Sequence, residues 1–294
     1  MVEAFLRYLQ FEKRYSLKTI VSYKNDLDQF SEFIRSSYPD FTVETIEYGI
    51  VRSWIVSLVD AELDPVSVNR KIACLRSFYK YLLREEVITK DPMTKIKVLK
   101  TKKKLPHFIQ ENDIVNLLDH NDDLSHDHHG LRARLILELL YGTGMRLSEL
   151  ITLKESAINF HDQTLKVLGK RNKERVIPFS NNIVSIIKDY RIARNREVEM
   201  KEHGYLLVTD SGEALYPVLV NRIVKKHLRH YTSVEKTSPH VLRHSYATHL
   251  LNKGAEINAV KDLLGHSSLA ATQVYTHNSM EKLKKVFEQA HPKA

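Results

Sequence analysis

His240 and Arg243 stand three residues apart in the stretch Pro239-His-Val-Leu-Arg-His-Ser-Tyr246. On a helix that spacing puts both on one face, where an imidazole and a guanidinium can reach the same anion. Ser238-Pro239 signals the start of such a helix, a capping hydroxyl followed by proline at the first helical position. Gly254 predicts its end near Lys253. A second short helix, from about residue 257 to 264, stops at Gly265 and presents His266, and Tyr275 follows nine residues later. Taken singly, each of these residues also has a plain structural use: a polar helix face, a helix cap, a half-buried tyrosine.

Arg146 and Lys170 add two cations upstream. An apolar helix over residues 131–141 runs into Gly142-Thr143-Gly144, whose glycines permit a tight turn. The next helix is expected over residues 145–150, with Arg146 at its start. There its charge can join backbone N–H groups in facing a phosphate. Residues 164–168 and 175–179 read as strands joined by Gly169-Lys-Arg-Asn-Lys-Glu174, so Lys170 falls near a hairpin tip. Residues 181–200 and 218–231 read as further helices.

The first 88 or so residues read as helices. Ser16 opens one with Ile20, Tyr23, Leu27, Phe30 and Ile34 at helical spacing, and another runs through Val51, Trp54, Ile55 and Leu58. Asp64-Pro65 starts a third, whose stripe is Val68, Ile72, Leu75, Phe78, Tyr79 and Leu82. Lys18, Lys24, Asn69, Arg70 and Lys71 fall near helix starts or on polar faces, as solvated surface or as phosphate contacts. Between Asp91-Pro92 and Leu105-Pro106, both helix breakers, Lys95, Lys97, Lys100, Lys102, Lys103 and Lys104 stand with no acid among them. Such a run suits a strap across a nucleic-acid backbone.

At 294 residues the chain predicts two domains. Its net charge is +9, with 19 Lys and Arg against 14 Asp and Glu in residues 1–104 and 26 against 22 in the rest. Both parts are basic, as expected if both touch one polyanion. No apolar run is long enough for a membrane span, and the N-terminus has no apolar signal core. With one cysteine, Cys74, the chain reads as cytoplasmic, without membrane contact. The spacing in His126-Asp-His128-His129 matches no zinc pattern and reads as a polar loop, so no metal is expected.

His240-x-x-Arg243, Leu264-Gly-His266 and Tyr275, preceded by Gly142-Thr-Gly-Met-Arg146-Leu-Ser-Glu149 and Lys170, resemble the signature of the tyrosine recombinases. The resemblance implies a mainly α protein with a small β-sheet, built as a two-domain C-shaped clamp. A helical, SAM-like core-binding domain would occupy residues 1–92, a basic linker 93–106 and a mixed α/β catalytic domain 107–294. It also implies roles. Tyr275 would attack a DNA phosphate to give a 3′-phosphotyrosine bond, with Arg146 and Arg243 gripping the non-bridging oxygens and His266 donating a further hydrogen bond. A tyrosine's ordinary pKa of about 10 leaves roughly one part in a thousand ionised at neutral pH, so His240 would accept its proton. Lys170 would protonate the departing 5′-oxygen, and Glu149 would orient Arg146. The bond energy is conserved, so neither ATP nor a cofactor is called for, and the two guanidiniums do the work of a metal ion.

Within the family the chain resembles the Xer recombinases, the XerC and XerD type, along its whole length. It opens on the core-binding helices and ends Ala290-His-Pro-Lys-Ala294, close to the Xer ending. Arg171 departs from the usual glycine after the hairpin lysine, and Asn278 from an aliphatic residue. The resemblance implies chromosome-dimer resolution at a dif-like site on double-stranded DNA. The assembly would be a homo- or hetero-tetramer with a sister recombinase, under an FtsK-type translocase. A mobile-element integrase shares the chemistry. A type IB topoisomerase-like enzyme and a non-catalytic DNA-binding protein are the readings of another class. Met280, Leu283, Val286, Phe287 and Ala290 recur at helical spacing, as a tail helix that docks on the next subunit or folds back on its own domain.

Overall fold

The computed structural model describes residues 1–101, 108–119, 124, 126–169, 174–199, 201–232, 234, 237–265 and 290. The chain divides into two compact units, Met1–Lys104 and Leu105–Ala294. It is mostly helical, with one three-stranded antiparallel sheet among the described residues.

The first unit packs α1 (Val2–Arg7, continued by a π-helical turn, Tyr8–Glu12), α2 (Leu17–Ser37), α3 (Tyr48–Asp60) and α4 (Pro65–Arg84). Ser16 caps α2 by accepting from the Thr19 amide at 3.3 Å. Asp64 caps α4 by accepting from the Val66 amide at 2.8 Å, with Pro65 at the first position. Both caps satisfy amides that a helix start leaves unpaired. The α4 stripe expected from the sequence is buried in full, while on α2 Leu27, Phe30 and Ile34 are buried and Ile20 and Tyr23 only half so. Phe30 lies on Trp54 with ring centroids 4.8 Å apart, and Phe5 on Phe78 at 5.3 Å. Each side chain so removed from water contributes about 1.5–3 kcal/mol.

Two expectations need correction here. Lys71 is not on a polar face: it is buried, and its Nζ donates to Asp26 Oδ1 at 2.9 Å. Residues 93–99 are not a free strap either. Met93 and Ile96 are buried in the first core, and Asn69 clamps Leu99 from both sides, its Nδ2 donating to the Leu99 carbonyl at 2.9 Å and its Oδ1 accepting the Leu99 amide at 2.7 Å. Lys102, Lys103 and Lys104 lie outside the described residues.

The second unit is built on α6 (His128–Gly142), which is buried on nearly every side, as an apolar helix must be at the centre of a domain. Against it pack α5 (Glu111–Asp119), α8 (Asn181–Glu197), α9 (Pro217–Leu228) and α10 (Pro239–Asn252). α5 was not anticipated, and the polar-loop reading fails at His128. His128 opens α6, is buried, and stacks on Tyr190. The sheet runs β1 (Ile158–Asn159), β2 (Thr164–Leu168), β3 (Glu174–Pro178), with Leu165 opposite Ile177 and Leu168 opposite Glu174. Two short helices complete the unit, α7 (Leu147–Ile151) and α11 (Ile257–Leu264). Among the described residues no helix is long and apolar enough to cross a membrane.

Candidate active site

The turn that delivers Arg146 is tighter than the sequence suggested. Gly142 is still helical, and only Gly144 adopts a left-handed backbone, at φ +59°. A side chain there would also strike the Tyr246 ring, 2.5 Å from the position of a Cβ. Glycine is required twice over. α7 then begins at Leu147, so Arg146 is its N-cap residue and not part of its body. Its amide donates to Glu149 Oε2 at 2.7 Å, which satisfies one of the free N–H groups of the helix start.

Arg146 donates from Nη1 to Glu149 Oε1 at 2.8 Å and from Nη2 to the Gly265 carbonyl at 2.7 Å. Its side chain remains 28% exposed, open to a ligand. Arg243, on α10, is buried. It donates from Nη1 to the Gly144 carbonyl and from Nη2 to the Leu264 carbonyl at 2.6 Å. α10 starts at Pro239 as expected, but the Ser238 hydroxyl does not cap it, so the helix start rests on backbone geometry and on proline. His240 lies one turn before Arg243 and is exposed. The shared helix brings the pair close in sequence while their burial differs.

A third arginine completes the cluster. Arg175, on β3, grips both carboxylate oxygens of Glu149, with Nη2 to Oε2 at 2.8 Å and Nη1 to Oε1, and its Nε donates to the Leu263 carbonyl at 3.2 Å. Sequence reading passed over it as an ordinary strand residue. The signal was there: Arg175 and Ile177 share one face of β3, and Ile177 is in the core. Burial alone would push the Glu149 carboxyl up, but the hydrogen bonds and charge of Arg175, with the two hydrogen bonds from Arg146, hold it below the ordinary carboxylate value. Burial, with the charges of Arg146 and Arg175, pulls the Arg243 guanidinium down to about 10, which still leaves it charged at neutral pH.

All three arginines meet the end of α11. Its last carbonyls lack helical partners and carry the negative end of the helix dipole. Leu263, Leu264 and Gly265 hand theirs to Arg175, Arg243 and Arg146 in turn. Gly265 closes the helix at φ +61°, and a Cβ on it would come within 2.9 Å of Arg175 Cδ. Three guanidiniums face one carboxylate, so the cluster carries surplus positive charge and suits a phosphate.

His266, Tyr275 and Lys170 lie outside the described residues, as do Met280, Leu283, Val286 and Phe287 of the tail. Ala290 is buried in the core of the second unit. In the first unit Lys18, Lys24 and Lys100 are exposed. The Arg70 side chain is 44% exposed and bound to Asp26, and Asn69 is spent on Leu99.

Residues 107–282 match the phage integrase family, and residues 2–86 match the N-terminal SAM-like domain of phage integrases. The tyrosine recombinase XerC of Chlorobaculum parvum is 34% identical over 317 residues, covering all of this chain and 94% of that protein. XerC of Staphylococcus saprophyticus is 38% identical over 294 residues, covering 99% and 97%. Among solved structures, the XerH site-specific recombinase bound to palindromic difH substrate, a post-cleavage complex, superposes with a TM-score of 0.74. That match is at 22% identity over 97% of this chain and 83% of that one, a likeness of fold.

Proposed function

Because this chain belongs to the phage integrase family of tyrosine recombinases, enzymes that cut and rejoin DNA, we propose that it carries out site-specific recombination through a 3′-phosphotyrosine intermediate at Tyr275. The observation that carries this reading is the convergence of Arg146 and Arg243 on successive carbonyls at the end of α11. From Gly265 the chain runs directly into His266 and on to Tyr275, so the carbonyl that Arg146 holds is the last before the stretch of sequence with these two residues.

In the proposed step the Tyr275 phenolic oxygen attacks phosphorus and the bond from phosphorus to the 5′-oxygen breaks. The phenolic proton passes to His240, and Lys170 gives a proton to the leaving 5′-oxygen, assistance worth ~10²–10⁴-fold. The negative charge that builds on the non-bridging oxygens is met by Arg146 and Arg243, with a hydrogen bond from His266. A 5′-hydroxyl from a second strand reverses the step without an energy source.

The curated relatives are named tyrosine recombinase XerC, which supports site-specific recombination. On the resemblance to the Xer type, the proposal extends to chromosome-dimer resolution at a dif-like site, by a homo- or hetero-tetramer with a sister recombinase and under an FtsK-type translocase. Lys18, Lys24, Arg70 and Lys100, with Lys102, Lys103 and Lys104, would hold DNA phosphates. Tyr275 is tested with a nicked suicide substrate, whose broken strand lets the covalent product accumulate for a denaturing gel. The wild-type chain should form adduct and Tyr275→Phe none. Adduct at the wild-type level in Tyr275→Phe would remove that residue from the role.

A further inference from the structure

The site holds one arginine that the reaction has no use for as a ligand. Arg175 is 4% exposed, and its Nη1, Nη2 and Nε are all committed, to Glu149 and to the Leu263 carbonyl. A buried charge is costly unless paired. Here both oxygens of Glu149 accept from Arg175, while the same oxygens accept the amide and Nη1 of Arg146.

We propose that Arg175 is a positioning residue for strand transfer, satisfying Glu149 from inside so that Arg146 is oriented by the carboxylate without being neutralised by it. This rests on the assignment of Arg146 and Arg243 to the scissile phosphate. One carboxylate cannot cancel two guanidiniums. With Arg175 present, Glu149 fixes the direction of Arg146 and the outward charge survives for the phosphate. Without Arg175, Glu149 and Arg146 form a closed pair, and the phosphate must compete with a carboxylate for the same guanidinium. The Nε bond to the Leu263 carbonyl does a second job, because the next two carbonyls hold Arg243 and Arg146. Arg175 thus ties β3, α7 and α11 together at one point. It also pins the strand that begins four residues after Lys170.

Single-turnover cleavage of a nicked suicide substrate at saturating DNA, half-site affinity and thermal unfolding together test this on the full chain. Arg175→Met should leave half-site Kd within about threefold and slow cleavage by about 100-fold, the scale seen when one oriented donor is lost from a charge-stabilising site. Glu149→Gln added to Arg175→Met should recover at least about tenfold of that rate, since no carboxylate is left to neutralise Arg146. A merely structural Arg175 predicts the opposite: cleavage falling only with the folded fraction, and the second substitution adding loss to loss. Either result overturns the proposal. If Arg175→Met does not fold, Arg175→Lys takes its place. Charge without the two-pronged grip should still cost about tenfold in rate at unchanged Kd, and wild-type cleavage by folded Arg175→Lys would also overturn it. Arg146→Ala run alongside separates the two readings. If it cleaves normally, the underlying assignment has failed. If it is inactive while Arg175→Met is normal, only the role of Arg175 has.

Discussion

Each unit buries one carboxylate between two cations. In the first, Asp26 pairs with buried Lys71 and with Arg70, whose side chain is 44% exposed. In the second, Glu149 pairs with buried Arg175 and with Arg146, 28% exposed. In both, an inner cation answers the carboxylate and an outer arginine keeps charge to spare. The difference lies in how firmly the outer arginine is held. Arg70 has Asp26 and one long bond to the Ser22 carbonyl at 3.4 Å. Arg146 is held through its amide, Nη1 and Nη2, and the last of these reaches the helix end that also holds Arg243. An arginine fixed at three points can meet charge that develops only in a transition state, whereas one held loosely is suited at most to a backbone phosphate, the contact proposed for Arg70.

The comparison breaks most sharply if the carboxylates are removed. Asp26→Leu and Glu149→Leu each strand a buried cation, and each should cost about 3–5 kcal/mol of stability, measured by denaturant unfolding of the full chain. Only Glu149→Leu should also slow cleavage by the folded fraction. Acid sharpens the same point for Glu149. Its folded value lies below the unfolded one, so its contribution is fully present above about pH 4.3, the unfolded glutamate value, and is lost as the pH falls through the folded value. Stability should therefore fall on that limb in the wild type and stay flatter in Glu149→Gln. An unchanged slope would mean that Glu149 is not held as described.

A smaller effect is expected at the end of α11. Gly265→Ala adds a left-handed strain of about 1–2 kcal/mol and pushes on Arg175 Cδ. Its melting temperature should drop modestly, while its cleavage rate should drop further than the folded fraction explains. Proportional losses in both would show that the helix end does not position the arginines.

The smallest effect separates the two cations of the first unit. Arg70→Ala should lower the salt dependence of DNA binding by about one unit of slope, as loss of one phosphate contact does. Lys71→Met should leave that slope as it is and lower the melting temperature instead. A reduced slope for Lys71→Met would contradict its burial.

The elements of the fold were legible where one element's own pattern decides the outcome. The α4 stripe, the two long strands, the start of α10 and the cap at Gly265 each follow from spacing or from a residue with a special backbone. The Lys71 side chain could have been placed inward, being three residues from Val68 and four from Leu75 on that same stripe. Its partner could not, because Asp26 lies 45 residues away on α2 and only packing brings them together. Arg175 and Glu149 pose the same difficulty across 26 residues. β1 has two residues, too few for any period to show, while α5 carried a readable pattern in Ile114, Leu117 and Leu118 that went unused. Arg146 and Arg243 were picked out as candidates by their spacing and the motifs they stand in, and what holds them in place was visible only once distant elements met.

The charge of the scissile phosphate itself gives the most direct test of Arg146 and Arg243. Replacing one non-bridging oxygen of that phosphate with a methyl group removes the ground-state negative charge that the two arginines are proposed to meet. On ordinary phosphate, Arg243→Ala and Arg146→Ala should form covalent adduct about 10²–10³-fold more slowly than wild type. On the methylphosphonate substrate both should come within about tenfold of wild type, because the transition state there carries one negative charge fewer. The same deficit on both substrates would contradict the assignment of these arginines to the phosphate.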